Sequence, residues 1–62
     1  MCEADAYLIV GDNEELVMKA VRFLRPDEGK VFLKSIYGEQ RTLRGRIVEM
    51  DLIEHRILLI ED

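Results

Sequence analysis

The sequence predicts a small domain built mainly of β-strands, and three observations support this prediction. Apolar and polar residues alternate over residues 2–10 and again over residues 30–37, which is the spacing of strands with one buried face. Turn-forming residues follow the first of these segments at positions 11–13 and precede the second at positions 26–29. A length of 62 residues allows a small core, so residues 1–62 are predicted to form a single domain.

The strands follow one another along the chain. They are predicted at residues 2–10, 30–37, 40–43, 46–52 and 56–61. Gly45 separates two of them and is predicted to mark a bend or bulge, because a missing side chain relieves crowding between neighbouring strands. The last strand contains four consecutive apolar residues, 57–60, so we expect both of its faces to be covered, one of them partly by a second subunit.

Residues 13–25 fit two different structures. Asn13 can cap a helix, acidic residues follow it, basic residues precede Pro26, and apolar residues recur at helical spacing. The alternative is a pair of short strands, 16–18 and 21–24, with a kink near Ala20. The pattern alone slightly favours the helix.

Composition and charge exclude several classes of protein. Nine basic residues against 13 acidic ones give a net charge of −4, which disfavours a protein built to cover nucleic acid. No apolar segment approaches the roughly 20 residues of a membrane-spanning helix. The first residues lack the basic region of a secretory signal, so we expect a cytoplasmic protein without a membrane partner. No phosphate-binding loop, paired cysteine motif or Ser/His/Asp set is present, and no enzyme is predicted.

Cys2 is the candidate metal ligand, because of its position beside the amino terminus. If Met1 is retained, its amine, the Cys2 amide nitrogen and the Cys2 sulfur are three donors that close five-membered rings on a metal ion. Thiolate and nitrogen donors in a square plane suit Ni(II) or Cu(II). If Met1 is removed, amine and thiolate remain, and two such termini brought together in a twofold dimer would complete the plane. The alternative is an incidental residue at a chain end.

Other residues are weaker candidates. His55 could be a nickel ligand, but a turn residue is the simpler interpretation, because histidine tolerates positive φ better than most residues. Met18 and Met50 fit core positions better than metal ligation. Arg41, Arg44 and Arg46, with Lys30, Lys34 and Tyr37, could form a basic patch that binds RNA or protein, although a solvated surface balanced by nearby glutamates is the simpler explanation.

The whole chain resembles the CooT family of small nickel-binding proteins, which is associated with maturation of carbon monoxide dehydrogenase. The resemblance rests on the order and spacing of several features. They are Met1-Cys2 with an alternating strand, Gly11-Asp12, the strand at 30–36, Tyr37-Gly38-Glu39, Gly45, Met50-Asp51-Leu52 and the last strand at 57–61. In this chain His55 stands where relatives can have glycine.

The resemblance implies a fold, a metal and partners. The expected fold is all-β, an SH3-like small barrel that forms a homodimer, and residues 16–24 should then be strand rather than helix. The expected ligand is Ni(II), held through Cys2, with Met1, at the dimer interface. The expected role is a non-enzymatic nickel carrier, whose partners are carbon monoxide dehydrogenase or its maturation factors. The alternative function is a small barrel that binds RNA or protein through Arg41, Arg44 and Arg46.

Overall fold

The computed structural model describes residues 3–62, and in it five β-strands close into a barrel. The strands are β1 (Ala4–Val10), β2 (Asn13–Asp27), β3 (Lys30–Ser35), β4 (Gln40–Asp51) and β5 (Arg56–Glu61). Consecutive strands pair antiparallel, and β5 closes the barrel by pairing parallel with β1. The all-β prediction is confirmed. The described residues include no helix able to cross a membrane.

Strand β2 corrects the prediction that the pattern alone favoured for residues 13–25. The helix is wrong, and the strand implied by the family resemblance is confirmed. The physical reason is three register shifts, two in the pairing with β1 and one in the pairing with β3, at each of which β2 carries an extra residue. Extra residues break the two-residue alternation of a strand and bring Met18, Val21 and Leu24 to the three-residue spacing of a helix. The kink expected near Ala20 is confirmed by its φ of 55°.

The strand predicted at 2–10 begins at Ala4 within the described residues, and later boundaries differ from the predictions as well. The strand predicted at 30–37 ends at Ser35, and the two strands predicted at 40–43 and 46–52 are one continuous strand, β4. The strand predicted at 56–61 is confirmed. Gly45 allows β4 to bend without ending, because its φ is +152° and an added Cβ would lie 2.0 Å from the carbonyl oxygen of Ile60. The prediction that Gly45 relieves crowding is therefore confirmed.

The core is a single cluster of apolar side chains inside the barrel. The cluster consists of Ala6, Leu8, Met18, Val21, Val31, Leu33, Leu43, Ile57 and Leu59. Met18 is in this core as predicted. Met50 is exposed, so its predicted core position is wrong; it follows a register shift between Ile47 and Glu49 that breaks the alternation of β4. On β5 the outward residues Leu58 and Ile60 are half-buried within this chain.

Ser35 is the buried polar residue of the described chain and organises the turn between β3 and β4. Its Oγ accepts hydrogen bonds from the backbone nitrogens of Tyr37, at 3.1 Å, and Glu39, at 3.2 Å.

Removing a buried acceptor leaves its donors unsatisfied. We therefore expect Ser35→Ala to lower the free energy of unfolding by about 1–3 kcal/mol, measured by urea denaturation. Thr42→Ala, which removes an exposed hydroxyl, should change it by about 0.5 kcal/mol or less. Equal losses in the two variants would contradict this role for Ser35.

Candidate metal centre

The two predicted metal ligands, Met1 and Cys2, lie outside the described residues. Within residues 3–62 no group of three or more His, Cys, Asp and Glu side chains lies close enough to hold a metal ion. The described part of the chain therefore contains no such set of ligands of its own. It begins at Glu3, to which Cys2 is joined in the sequence.

His55 holds the start of the described chain. Its Nδ1 lies 2.9 Å from the carbonyl oxygen of Glu3, and its own carbonyl oxygen accepts a hydrogen bond of 2.9 Å from the Asp5 nitrogen. A carbonyl oxygen only accepts, so Nδ1 carries the proton and donates it. In this tautomer Nε2 is the ring nitrogen whose lone pair could bind a metal.

The turn between β4 and β5 places His55 there. Oδ1 of Asp51 accepts hydrogen bonds from the nitrogens of Ile53, at 3.1 Å, and Glu54, at 2.9 Å, which fixes the first half of the turn. His55 completes it with a φ of 57°, so its predicted place in a turn is confirmed. The turn leaves Leu52 and Ile53 as the most exposed large apolar side chains in the described chain, at 81% and 87%.

A shallow pocket of about 290 Å³ opens beside the hydrogen bond between His55 and Glu3. It is lined by Glu3, Ala4, Val21, Leu52 and His55. Apart from the imidazole and the Glu3 residue, its walls are apolar. The His55 imidazole therefore lies in an apolar pocket next to the start of β1. It could bind a metal together with donors of Met1 and Cys2, or of a second chain. Sequence analysis did not find this arrangement, because Glu3 and His55 lie 52 positions apart.

The three arginines of the alternative function do not share one face. On β4, Leu43 and Gly45 point inward and are buried, and Arg41 belongs to the same alternating series, whereas Arg44 and Arg46 belong to the outward series. Arg41 donates a hydrogen bond of 3.3 Å from Nη1 to the carbonyl oxygen of Val17. Arg41 therefore lies apart from Arg44 and Arg46, whereas Arg44 lies opposite Lys30 of the predicted patch on β3.

Arg56, at the start of β5, contacts one residue on β1 and one on β2. It forms an ion pair with Glu14, and its guanidinium carbon lies 4.8 Å from the centre of the Tyr7 ring. The side-chain hydrogen bond to Glu14 raises the pKa of Arg56 above its ordinary value. These contacts link the ends of β2 and β5 across β1 and leave Arg56 in a structural role.

Comparisons with known proteins point to one family. The family model for CO dehydrogenase accessory protein CooT matches residues 1–60. A crystal structure described as a CooT candidate from Carboxydothermus hydrogenoformans is 38% identical, with a TM-score of 0.91 over 98% of each chain. An uncharacterized protein of Archaeoglobus fulgidus is 53% identical over 30 residues, which is 48% of this chain and 67% of the relative.

Proposed function

The chain belongs to the CooT family of CO dehydrogenase accessory proteins, and from this premise we propose that it binds Ni(II) through Cys2 and carries nickel for maturation of that enzyme. The observation that carries the proposal is the family match, which extends over Met1 and Cys2. An accessory role is compatible with the prediction that the chain is not an enzyme. Cytoplasmic localisation belongs to the same proposal.

The proposed donors on one chain are the thiolate and amide nitrogen of Cys2 and, where it is retained, the amine of Met1. These donors suit nickel in a square plane but leave a position open on each chain. We propose that a homodimer of SH3-like barrels completes the site, with one Ni(II) for two chains. The exposed Leu52 and Ile53 support this arrangement, because apolar side chains beside the start of β1 gain stability when a second copy covers them.

The first test is a nickel titration of the wild-type protein and Cys2→Ser, followed by charge-transfer absorption and calorimetry. We expect thiolate-to-nickel bands that saturate at one metal per two chains. Cys2→Ser should lose these bands and at least about 100-fold in affinity, since removing an outer-shell partner alone costs about 10- to 100-fold. Affinity should also fall as the pH is lowered, because the thiol must lose its proton to bind.

Two controls accompany the titration. Intact mass spectrometry establishes whether Met1 is present, which decides between the two donor sets. Circular dichroism of Cys2→Ser checks that the barrel is folded. Unchanged nickel affinity in a folded Cys2→Ser protein would refute the site.

His55 is proposed as a positioning residue for this site. Its bond to the Glu3 carbonyl restrains the backbone that leads to Cys2, and restraint reduces the entropy lost when the metal binds. We expect His55→Ala and His55→Gly each to weaken nickel binding by about 10-fold. The two variants should differ in stability, with glycine the more stable, because the φ of 57° strains alanine but not glycine. If nickel affinity instead followed stability, so that His55→Gly bound nickel more tightly than His55→Ala, the proposed role would be contradicted.

A further inference from the structure

The outer face of β2 and β3 carries aromatic and basic side chains; sequence analysis had grouped Lys30, Lys34 and Arg44 of this face, but not its β2 residues or Phe32. Phe23 pairs with Lys34 across the two strands, and Arg25 pairs with Phe32. Together with Arg22 these residues line a shallow pocket of about 330 Å³, which shares no residue with the pocket beside His55. We call this surface the basic-aromatic face. Alternation along residues 30–37 puts Phe32 and Lys34 on one face, opposite Val31, Leu33 and Ser35, and this is the signal that could have found it.

The two phenyl rings and Arg25 form a fixed cluster at its centre. The ring centres of Phe23 and Phe32 lie 6.0 Å apart, with an angle of 68° between the ring planes. The guanidinium carbon of Arg25 lies 5.8 Å from the centre of each ring. Aromatic and cation–π contacts of this kind hold the guanidinium in place, so less conformational entropy is lost when a ligand binds it. Phe23 nevertheless stays 40% exposed.

The face concentrates positive charge on an acidic protein. Alternation adds Lys30 on β3, and Arg44 lies opposite it on β4. Within residues 3–62, no basic residue of the face forms an ion pair. The ion pair found in this range joins Arg56 and Glu14. The acidic residue closest in register is Asp27, opposite Lys30 at the end of β2. The face therefore offers several cations without acidic partners, although the whole chain carries a net charge of −4.

We propose that the basic-aromatic face binds an acidic segment of another protein that carries one apolar side chain. Carboxylates of the segment would pair with Arg22, Arg25 and Lys34, since a guanidinium can bind a carboxylate through two parallel hydrogen bonds. The apolar side chain would cover the exposed part of Phe23 in the pocket. The proposal does not depend on nickel binding.

Nucleic acid fits this face less well. Stacking of bases needs open aromatic faces, but here the rings contact each other edge to face and share one guanidinium. A polyanion would also be repelled at long range, because the whole chain carries a net charge of −4. A short segment with a few carboxylates needs only the local charge of the face.

The test measures fluorescence anisotropy with labelled synthetic peptides. The probe is a short peptide of Asp and Glu with one central Leu; its comparisons are the same peptide with Gly in place of Leu, and the Leu peptide with Asn and Gln in place of the acids. We expect the acidic Leu peptide to bind most tightly and to weaken as salt is raised, because exposed charges are screened. An acidic Leu peptide that binds no better than the neutral peptide would overturn the proposal.

Matched variants assign the binding to the face. Arg25→Glu should weaken the acidic Leu peptide by about tenfold or more. Arg46→Glu makes the same change of charge at a residue that pairs with Ile60 on β5 and should have little effect. Phe23→Ala should remove the advantage of Leu over Gly. Circular dichroism confirms that each variant is folded.

Three further results would also overturn the proposal. The first is equal weakening by Arg25→Glu and Arg46→Glu, which would mean that only the overall charge matters. The second is tighter binding of a single-stranded RNA of the same length than of the acidic peptide, with the same dependence on Arg25. The third is self-association in sedimentation that Arg25→Glu abolishes, which would assign the face to a second copy of this chain.

Discussion

Gly45→Ala is expected to lower the free energy of unfolding by more than about 3 kcal/mol, which is a large part of the total stability of so small a protein. A Cβ at this position would lie 2.0 Å from the carbonyl oxygen of Ile60. That oxygen belongs to the backbone of β5 and cannot rotate away as a flexible side chain would. The φ of +152° adds strain for any residue that has a Cβ. The two strands would therefore have to separate.

Gly11→Ala and Gly38→Ala are the matched controls for this prediction. Both glycines also have positive φ, 62° and 87°, but a Cβ at either position would meet nothing within 4 Å. Each control variant should cost only about 1–2 kcal/mol, the penalty for the backbone conformation alone. Urea denaturation followed by circular dichroism compares the three variants. If Gly45→Ala is no less stable than the controls, β4 and β5 do not approach each other as described.

Strand prediction succeeded where pairing is regular and failed where it is not. Strand β3 pairs with β4 without a register shift, and alternation puts Val31, Leu33 and Ser35 on one face, which is the buried face in the structure. Strand β2 has three shifts, which give its buried residues a helical spacing. Such shifts depend on contacts with other strands, so the local pattern does not contain them. The family resemblance supplied this information instead.

Prediction of the candidate site met a similar limit. The chemistry of a thiol beside an amine can be recognised from Met1 and Cys2 alone, without knowledge of the fold, and it stays a prediction. The contact of His55 with Glu3 joins residues at opposite ends of the chain and becomes visible only after β5 has paired with β1. Single-sequence reasoning could place His55 in a turn, but it had no means of finding the partner of its imidazole.

The basic residues show why a local cluster in sequence differs from a surface. Arg41, Arg44 and Arg46 are close along the chain, yet strand alternation separates the first from the other two. Arg25 and Lys34 are distant along the chain, yet the pairing of β2 with β3 brings them to one pocket. A barrel of five strands has so little interior that its outer faces carry most of the side chains available for recognition.

Leu33→Ala is expected to lower the free energy of unfolding by about 2–5 kcal/mol. Leu33 is 0% exposed, and its strand lies between β2 and β4, so neither neighbour can move in to fill the space. A chain of 62 residues has a total stability of only about 3–9 kcal/mol. The substitution should therefore remove a large part of that stability, shown by a lower urea midpoint at an unchanged slope.

Leu16→Ala is the control for Leu33→Ala, because Leu16 has the same side chain on a neighbouring strand but is 49% exposed. We expect it to cost less than about 1 kcal/mol, since the truncated side chain was already partly in water and leaves no closed cavity. The two leucine variants remove the same atoms, so the difference between their midpoints measures burial alone. Similar midpoints would mean that the interior around Leu33 is not close-packed, and the strand pairing that encloses it would have to be revised.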